Sequence, residues 1–208
     1  MFLNRWLLAV SVLLLGFGVT PLSFSAADAS AVPGRPAPTF HLKDNLGNEH
    51  ALSQYRGKYV VLEWVNYGCP FVGKHYRSGN MQELQKEYTG KGVVWLSICS
   101  SAPGKQGYYE GKELTEKIAQ MKAVPTAYLV DAGGNVGRLY DAKATPTMAV
   151  INPEGVLVYE GGIDDIASTD VADIPKAHNF VREVLDAVLN GKPAPLESSR
   201  PYGCSVKY

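Results

Sequence analysis

Glu63-Trp64-Val65-Asn66-Tyr67-Gly68-Cys69-Pro70-Phe71-Val72 is the stretch that decides the fold. It continues a nearly unbroken apolar run, Val60-Val61-Leu62, of the kind a strand covered on both faces requires, and it ends on a Cys-Pro step. Proline is tolerated in the first turn of a helix, so a helix is expected from Pro70 to about Tyr88. A cysteine between a buried strand and a helix faces main-chain N–H groups and the positive end of the helix dipole, both of which favour its thiolate. The deprotonated sulfur is the nucleophile of disulfide exchange and of peroxide attack. Cys69 is therefore the candidate nucleophile, with a buried structural thiol as the plainer alternative. No second cysteine completes a Cys-x-x-Cys motif, because Val72 stands at that position.

Outward from this stretch, the pattern predicts a hairpin over Thr39–Ser53 that turns at Asn45–Asn48, and a strand over Lys58–Val65. A second strong strand follows at Gly92–Cys99, then a helix over Lys112–Lys122 and a strand at Ala127–Val130. A hairpin of Thr147–Ile151 and Val156–Tyr159 precedes an amphipathic helix over Ile174–Leu189. This order implies a mixed central sheet with helices on both faces, and chemistry at the carboxyl edge of its parallel strands. Cys69 and Cys99 both follow strands that end there.

The 208-residue chain has balanced charge, 20 Lys and Arg against 20 Asp and Glu, with no basic patch that would suit nucleic acid or a membrane surface. Arg5, the apolar Leu7–Val19 and the small residues around Ser25–Ala29 read as a signal peptide over residues 1–27. The apolar core is shorter than the ~20 residues a spanning helix needs, so a periplasmic or extracellular mature protein is favoured over an N-terminally anchored one. Three cysteines, Cys69, Cys99 and Cys204, would then lie in a compartment that permits disulfides. Their odd number leaves at least one free or intermolecular. The four histidines show no ligand spacing with them, so no metal and no cofactor is expected.

The chain resembles the thioredoxin-like superfamily over roughly residues 35–190. Cys69 lies at a strand-to-helix junction, Glu63 stands six residues upstream, and Thr145-Pro146 precedes a hairpin strand like a cis-proline step. More narrowly, Cys69-Pro-Phe-Val-Gly-Lys-His-Tyr76 and the terminal Tyr202-Gly-Cys-Ser-Val-Lys-Tyr208 are similar to an exported peroxiredoxin-like (redoxin, AhpC/TSA-type) group. The resemblance implies an α/β thioredoxin-like fold with a central mixed sheet flanked by helices, an N-terminal hairpin and an irregular C-terminal tail. It places a redoxin domain at residues 33–192 and the tail at 193–208. It implies a thiol–disulfide oxidoreductase served by a dithiol or disulfide protein as partner or reductant.

Peroxide reduction is the further expectation, although the Pro-x-x-x-Thr-x-x-Cys pattern of peroxiredoxins is replaced here by Leu62 and Asn66. Glu63, buried in an apolar strand, is the candidate proton acceptor or donor; the alternative is an edge-strand carboxylate with a salt partner. Cys204 in the tail and Cys99 compete as resolving thiol, and Cys204 could equally be a structural pin or a free end. Thr145, Pro146, Pro70, Tyr67 and Phe71 are the expected substrate-contact residues. Lys74 and His75 read as a solvated helix face that could tune Cys69. A redox-inert module that binds partner proteins through the same cleft remains the alternative to an enzyme.

Overall fold

The computed structural model describes residues 30–208; the signal-peptide expectation for residues 1–27 lies outside them. The long apolar runs become the centre of a seven-stranded sheet. Its strands are β1 (His41–Asp44), β2 (Glu49–Ala51), β3 (Val60–Trp64), β4 (Val94–Cys99), β5 (Ala127–Val130), β7 (Thr147–Ile151) and β8 (Leu157–Gly161), in the order β2-β1-β5-β4-β3-β7-β8. β3, β4 and β5 are parallel, while β1, β2, β7 and β8 pair antiparallel at the two sides. A separate pair is formed by β6 (Ala144–Thr145) and β9 (Cys204–Ser205).

Alternation of side chains across the sheet divides the core in two. Val61, Val65, Trp95, Tyr128, Met148 and Val150 face α1 (Pro70–Arg77), α2 (Asn80–Gly90) and α5 (Phe180–Leu189), with Leu114 of α3 (Gly111–Gln120) on the same side. Leu62, Trp64, Leu96, Ile98, Leu129 and Ala149 face the lead-in residues Ala37 and Phe40, and Val136 and Tyr140 at α4 (Asn135–Leu139). This is the thioredoxin-like α/β fold expected from the sequence. Among the described residues no helix is long and apolar enough to cross a membrane.

Three local expectations change. The helix read from Pro70 to Tyr88 is two helices, broken where Gly79 adopts φ +83°. The helix read from Ile174 starts at Phe180, capped by the Asn179 side chain on Arg182 N–H; Pro175 lies instead in a 3-10 turn over Val171–Lys176. The tail is more ordered than its composition suggests, because β9 brings it back onto the domain.

A Cβ at position 79 would meet no neighbour, so Gly79→Ala isolates the backbone requirement. It should lower unfolding free energy by about 1–2 kcal/mol in a urea titration, the cost of placing an L side chain in the left-handed region. An unchanged midpoint would contradict this origin for the break between α1 and α2.

Candidate active site

Cys69 is the N-cap residue of α1, with Pro70 exposed at the first helical position. Its main-chain N–H donates to Asn66 O (2.9 Å), and its carbonyl accepts from Gly73 N–H (2.9 Å), so the sulfur is held where the helix begins. The Asn66 side chain ties this loop down by accepting from Gly68 N–H (2.8 Å) and donating to Gln106 O (3.1 Å). Cys69 is only 1% exposed. As a thiol it donates to Thr145 O at 3.3 Å. Burial is the largest influence on its pKa and acts upward. It is outweighed by the favourable influence on the thiolate of Cys204, the Val72 main chain and Thr145, and the net shift is downward.

Cys204 reaches this sulfur from the far end of the chain. In the β6–β9 pair, Thr145 is directly opposite Cys204 and Ala144 opposite Ser205. The strands approach so closely that a Cβ on Gly203 (φ +136°) would collide with the Thr145 carbonyl oxygen. The Thr145–Pro146 peptide is cis, as the resemblance implied, and both residues are buried. Burial and the neighbouring Cys69 push the Cys204 pKa up to about 11. The two thiols therefore shift in opposite directions, and Cys69 is the more acidic of the pair.

The tail is fixed on both sides of Cys204. Upstream, Tyr202 packs edge-on against half-buried Phe71 (centroids 5.9 Å apart) and donates its hydroxyl to Asp164 Oδ1. Lys74 Nζ lies 3.3 Å from Asp164 Oδ2, and donates to Ile166 O (2.8 Å) and to the Tyr202 oxygen (3.2 Å). His75 Nε2 is 3.2 Å from the same oxygen, while Asn80 Nδ2 donates to His75 Nδ1 at 2.9 Å. Downstream, Val206 N–H donates to Lys143 O (3.0 Å), and Ala102 N–H to Lys207 O (2.8 Å). Tyr208 donates to Ala142 O (2.7 Å) and lies under Arg138.

Lys74 and His75 are thus fully buried, which corrects the reading of a solvated helix face. Helical periodicity could not reveal this, since their partners lie some ninety residues or more downstream. Asp164 and Tyr202 carried no sequence signal beyond the aromatic flank of Cys204.

The remaining candidates separate. Cys99 ends β4, one residue past the Trp64–Ile98 pairing, and donates to Gly107 O at 3.3 Å; burial raises its pKa. Cys69 donates to Thr145 O instead, so no hydrogen bond joins these two thiols. Glu63 is in the central strand and fully buried, not an edge carboxylate with a salt partner. It accepts from Tyr76 OH (2.7 Å), Gln85 Nε2 (3.0 Å), Trp95 Nε1 (2.9 Å) and Ser97 OH (2.8 Å), and burial still raises its pKa. Those four donors do not include either sulfur of the pair. Tyr67 is buried between Tyr76 and Tyr128 (centroids 5.2 and 5.6 Å) rather than presented to a substrate. Among the described residues no group of three or more His, Cys, Asp or Glu could hold a metal ion.

The family model of AhpC/TSA matches residues 33–160. The chain belongs to the AhpC/TSA family. It is 30% identical over 149 residues to the thiol-disulfide oxidoreductase ResA of Geobacillus kaustophilus, covering 72% of this chain and 79% of that one. It is 30% identical over 155 residues to the selenocysteine-containing peroxiredoxin PrxU of Peptoclostridium acidaminophilum, covering 73% of each. Among solved structures, an uncharacterized conserved protein from Geobacillus kaustophilus matches with TM-score 0.72 and 25% identity, over 85% of this chain and 92% of that one. Family and fold together make this a thioredoxin-like, redoxin-type protein with a cysteine in the active-site region. The similarity extends to a thiol-disulfide oxidoreductase as well as to a peroxiredoxin, so it is not specific to peroxiredoxins.

Burial and the Lys74 charge lower the His75 pKa from 6.5 to about 3. Below 6.5 the unfolded chain therefore takes up a proton that the folded chain refuses, so His75 removes stability as pH falls toward 3. Its contribution to the slope should approach ~1.4 kcal/mol per pH unit. Urea titrations between pH 7 and 4 should show this steepening in the wild type and a shallower fall in His75→Gln. Equal slopes would contradict a neutral, buried imidazole.

Proposed function

We propose that the chain is a thiol–disulfide oxidoreductase whose redox couple is Cys69 and Cys204. The observation that carries this reading is the β6–β9 pairing, which sets Cys204 directly opposite Thr145, whose carbonyl accepts from the Cys69 thiol at 3.3 Å, although the two cysteines are 135 positions apart in sequence. The tail supplies the second thiol that Val72 does not. Cys69, whose pKa is lowered, is the more readily deprotonated sulfur of the couple. When one sulfur of the couple is joined to a partner sulfur, the thiolate of the other attacks it, a Cys69–Cys204 bond forms, and the partner leaves as a thiolate that takes up a proton. A partner dithiol reverses this, gaining a disulfide as the chain accepts two electrons. The partner is a protein dithiol or disulfide, and no metal or organic cofactor takes part.

Thr145 and Pro146 shape the wall beside the couple, Pro70 its exposed rim and Phe71 the seat of Tyr202. Glu63 is assigned to holding Tyr76, Gln85, Trp95 and Ser97 together beneath α1, in place of the direct proton transfer expected from the sequence. Cys99 stays outside the couple. Peroxide reduction is not part of the reading, because the Asn66 side chain at the peroxiredoxin threonine position is engaged by the loop. A redox-inert binding module gives no reason for two thiols to meet. The reaction is placed outside the cytoplasm on the strength of the N-terminal pattern up to Ala27, with the redoxin domain at 33–192.

Turnover of insulin disulfides in a glutathione buffer tests the assignment. Cys69→Ser and Cys204→Ser should each lower the rate at least about 100-fold, the scale of a lost intramolecular thiol, while Cys99→Ser keeps most of it. Full activity in Cys204→Ser would defeat the proposed couple.

A further inference from the structure

The exchange mechanism leaves open which sulfur meets the partner, and the two are not equally reachable. Cys69 is 1% exposed, covered by the strap that carries Cys204, whereas Cys204 is half-buried and followed by exposed Ser205. The strap is seated at both flanks. Tyr202 lies in the buried Lys74–Asp164–His75 cluster, and Tyr208 lies between Arg138 and the Ala142 carbonyl. Thiolate attack on a disulfide runs in line with the S–S bond and depends on access to the sulfur attacked. Once the two sulfurs are joined, attack on Cys69 with Cys204 leaving would have to come from the protein side, where Thr145 and the start of α1 stand. Attack on Cys204 with Cys69 leaving comes from solvent.

From this geometry we infer that Cys204 is the partner-facing sulfur and Cys69 the shielded one, the reverse of the roles expected from the sequence. This deepens the thiol–disulfide reading and rests on it. A partner thiolate attacks Cys204 Sγ; the Cys69–Cys204 bond breaks, a partner–Cys204 bond forms, and Cys69 departs as a thiolate at the N-terminus of α1. The partner's second thiolate then attacks its own sulfur in that mixed disulfide, releasing Cys204, which takes up a proton. The partner loses two electrons and the chain gains them. A low-pKa leaving group speeds the first step, so the arrangement suits the oxidised chain as a disulfide donor.

The test uses the full chain isolated as its Cys69–Cys204 disulfide. It is mixed briefly with glutathione, quenched in acid, alkylated and mapped by mass spectrometry. Glutathione should be found on the Cys204 peptide in at least about tenfold excess, with Cys69 alkylated. Glutathione on Cys69 in equal or greater amount overturns the inference but leaves the couple standing. Failure to obtain any Cys69–Cys204 disulfide, seen as no loss of two hydrogens in the intact mass, removes both the couple and this inference. Gly203→Ala supplies the second arm, since its Cβ would force the strap from the Thr145 carbonyl. The Cys204:Cys69 adduct ratio should fall at least about fivefold in that variant; an unchanged ratio overturns shielding by the strap.

Discussion

The Tyr202 hydroxyl sits where three groups meet: the Asp164 carboxylate, the Lys74 ammonium and the neutral His75 ring. A buried ion pair is tolerable only when its remaining donors and acceptors are satisfied. Here Tyr202 supplies part of that satisfaction, so the cost of leaving Lys74 and Asp164 incompletely paired is tied to the position of the tail. Two residues further on, the same strand sets Cys204 against Cys69. Position of the second thiol, cover over the first and order of the last seven residues all follow from this one buried contact and the β6–β9 pairing it extends.

The arrangement also accounts for how one helix start can serve a dithiol without a Cys-x-x-Cys motif. The Val72 side chain fills the core, and its main chain at the start of α1 helps to lower the Cys69 pKa. The second sulfur arrives across Thr145 instead of from within the helix. Because Cys204 is among the groups that lower the Cys69 pKa, the acidity of Cys69 depends on the strap's being in place. Burial alone would raise the Cys69 pKa; the donors around it reverse that.

Features encoded over a few adjacent residues were legible in the sequence. The Val60–Val65 run, the Cys69-Pro70 junction and the Thr145-Pro146 step each announce themselves locally, and the mixed sheet follows from their order. Burial of Glu63 was legible for the same reason, as a single carboxylate in an apolar strand. What was not legible depends on distant partners. Lys74 and His75 follow a helical polar pattern and are buried only because Asp164 and Tyr202 come to meet them. Tyr67 looked like a surface contact because it neighbours Cys69, yet it turns inward onto Tyr76 and Tyr128. The strand β9 has two residues, too few for any periodicity, and its pairing is set by Gly203 and the two flanking tyrosines.

The central claim is that Cys69 and Cys204 form one reversible couple. Non-reducing peptide mapping after equilibration in graded glutathione buffers tests it most directly. The account predicts a Cys69–Cys204 cross-linked peptide that appears and disappears reversibly with the buffer potential, while Cys99 stays a free thiol throughout. A Cys69 that remains free under all conditions, or that pairs with Cys99, would contradict it.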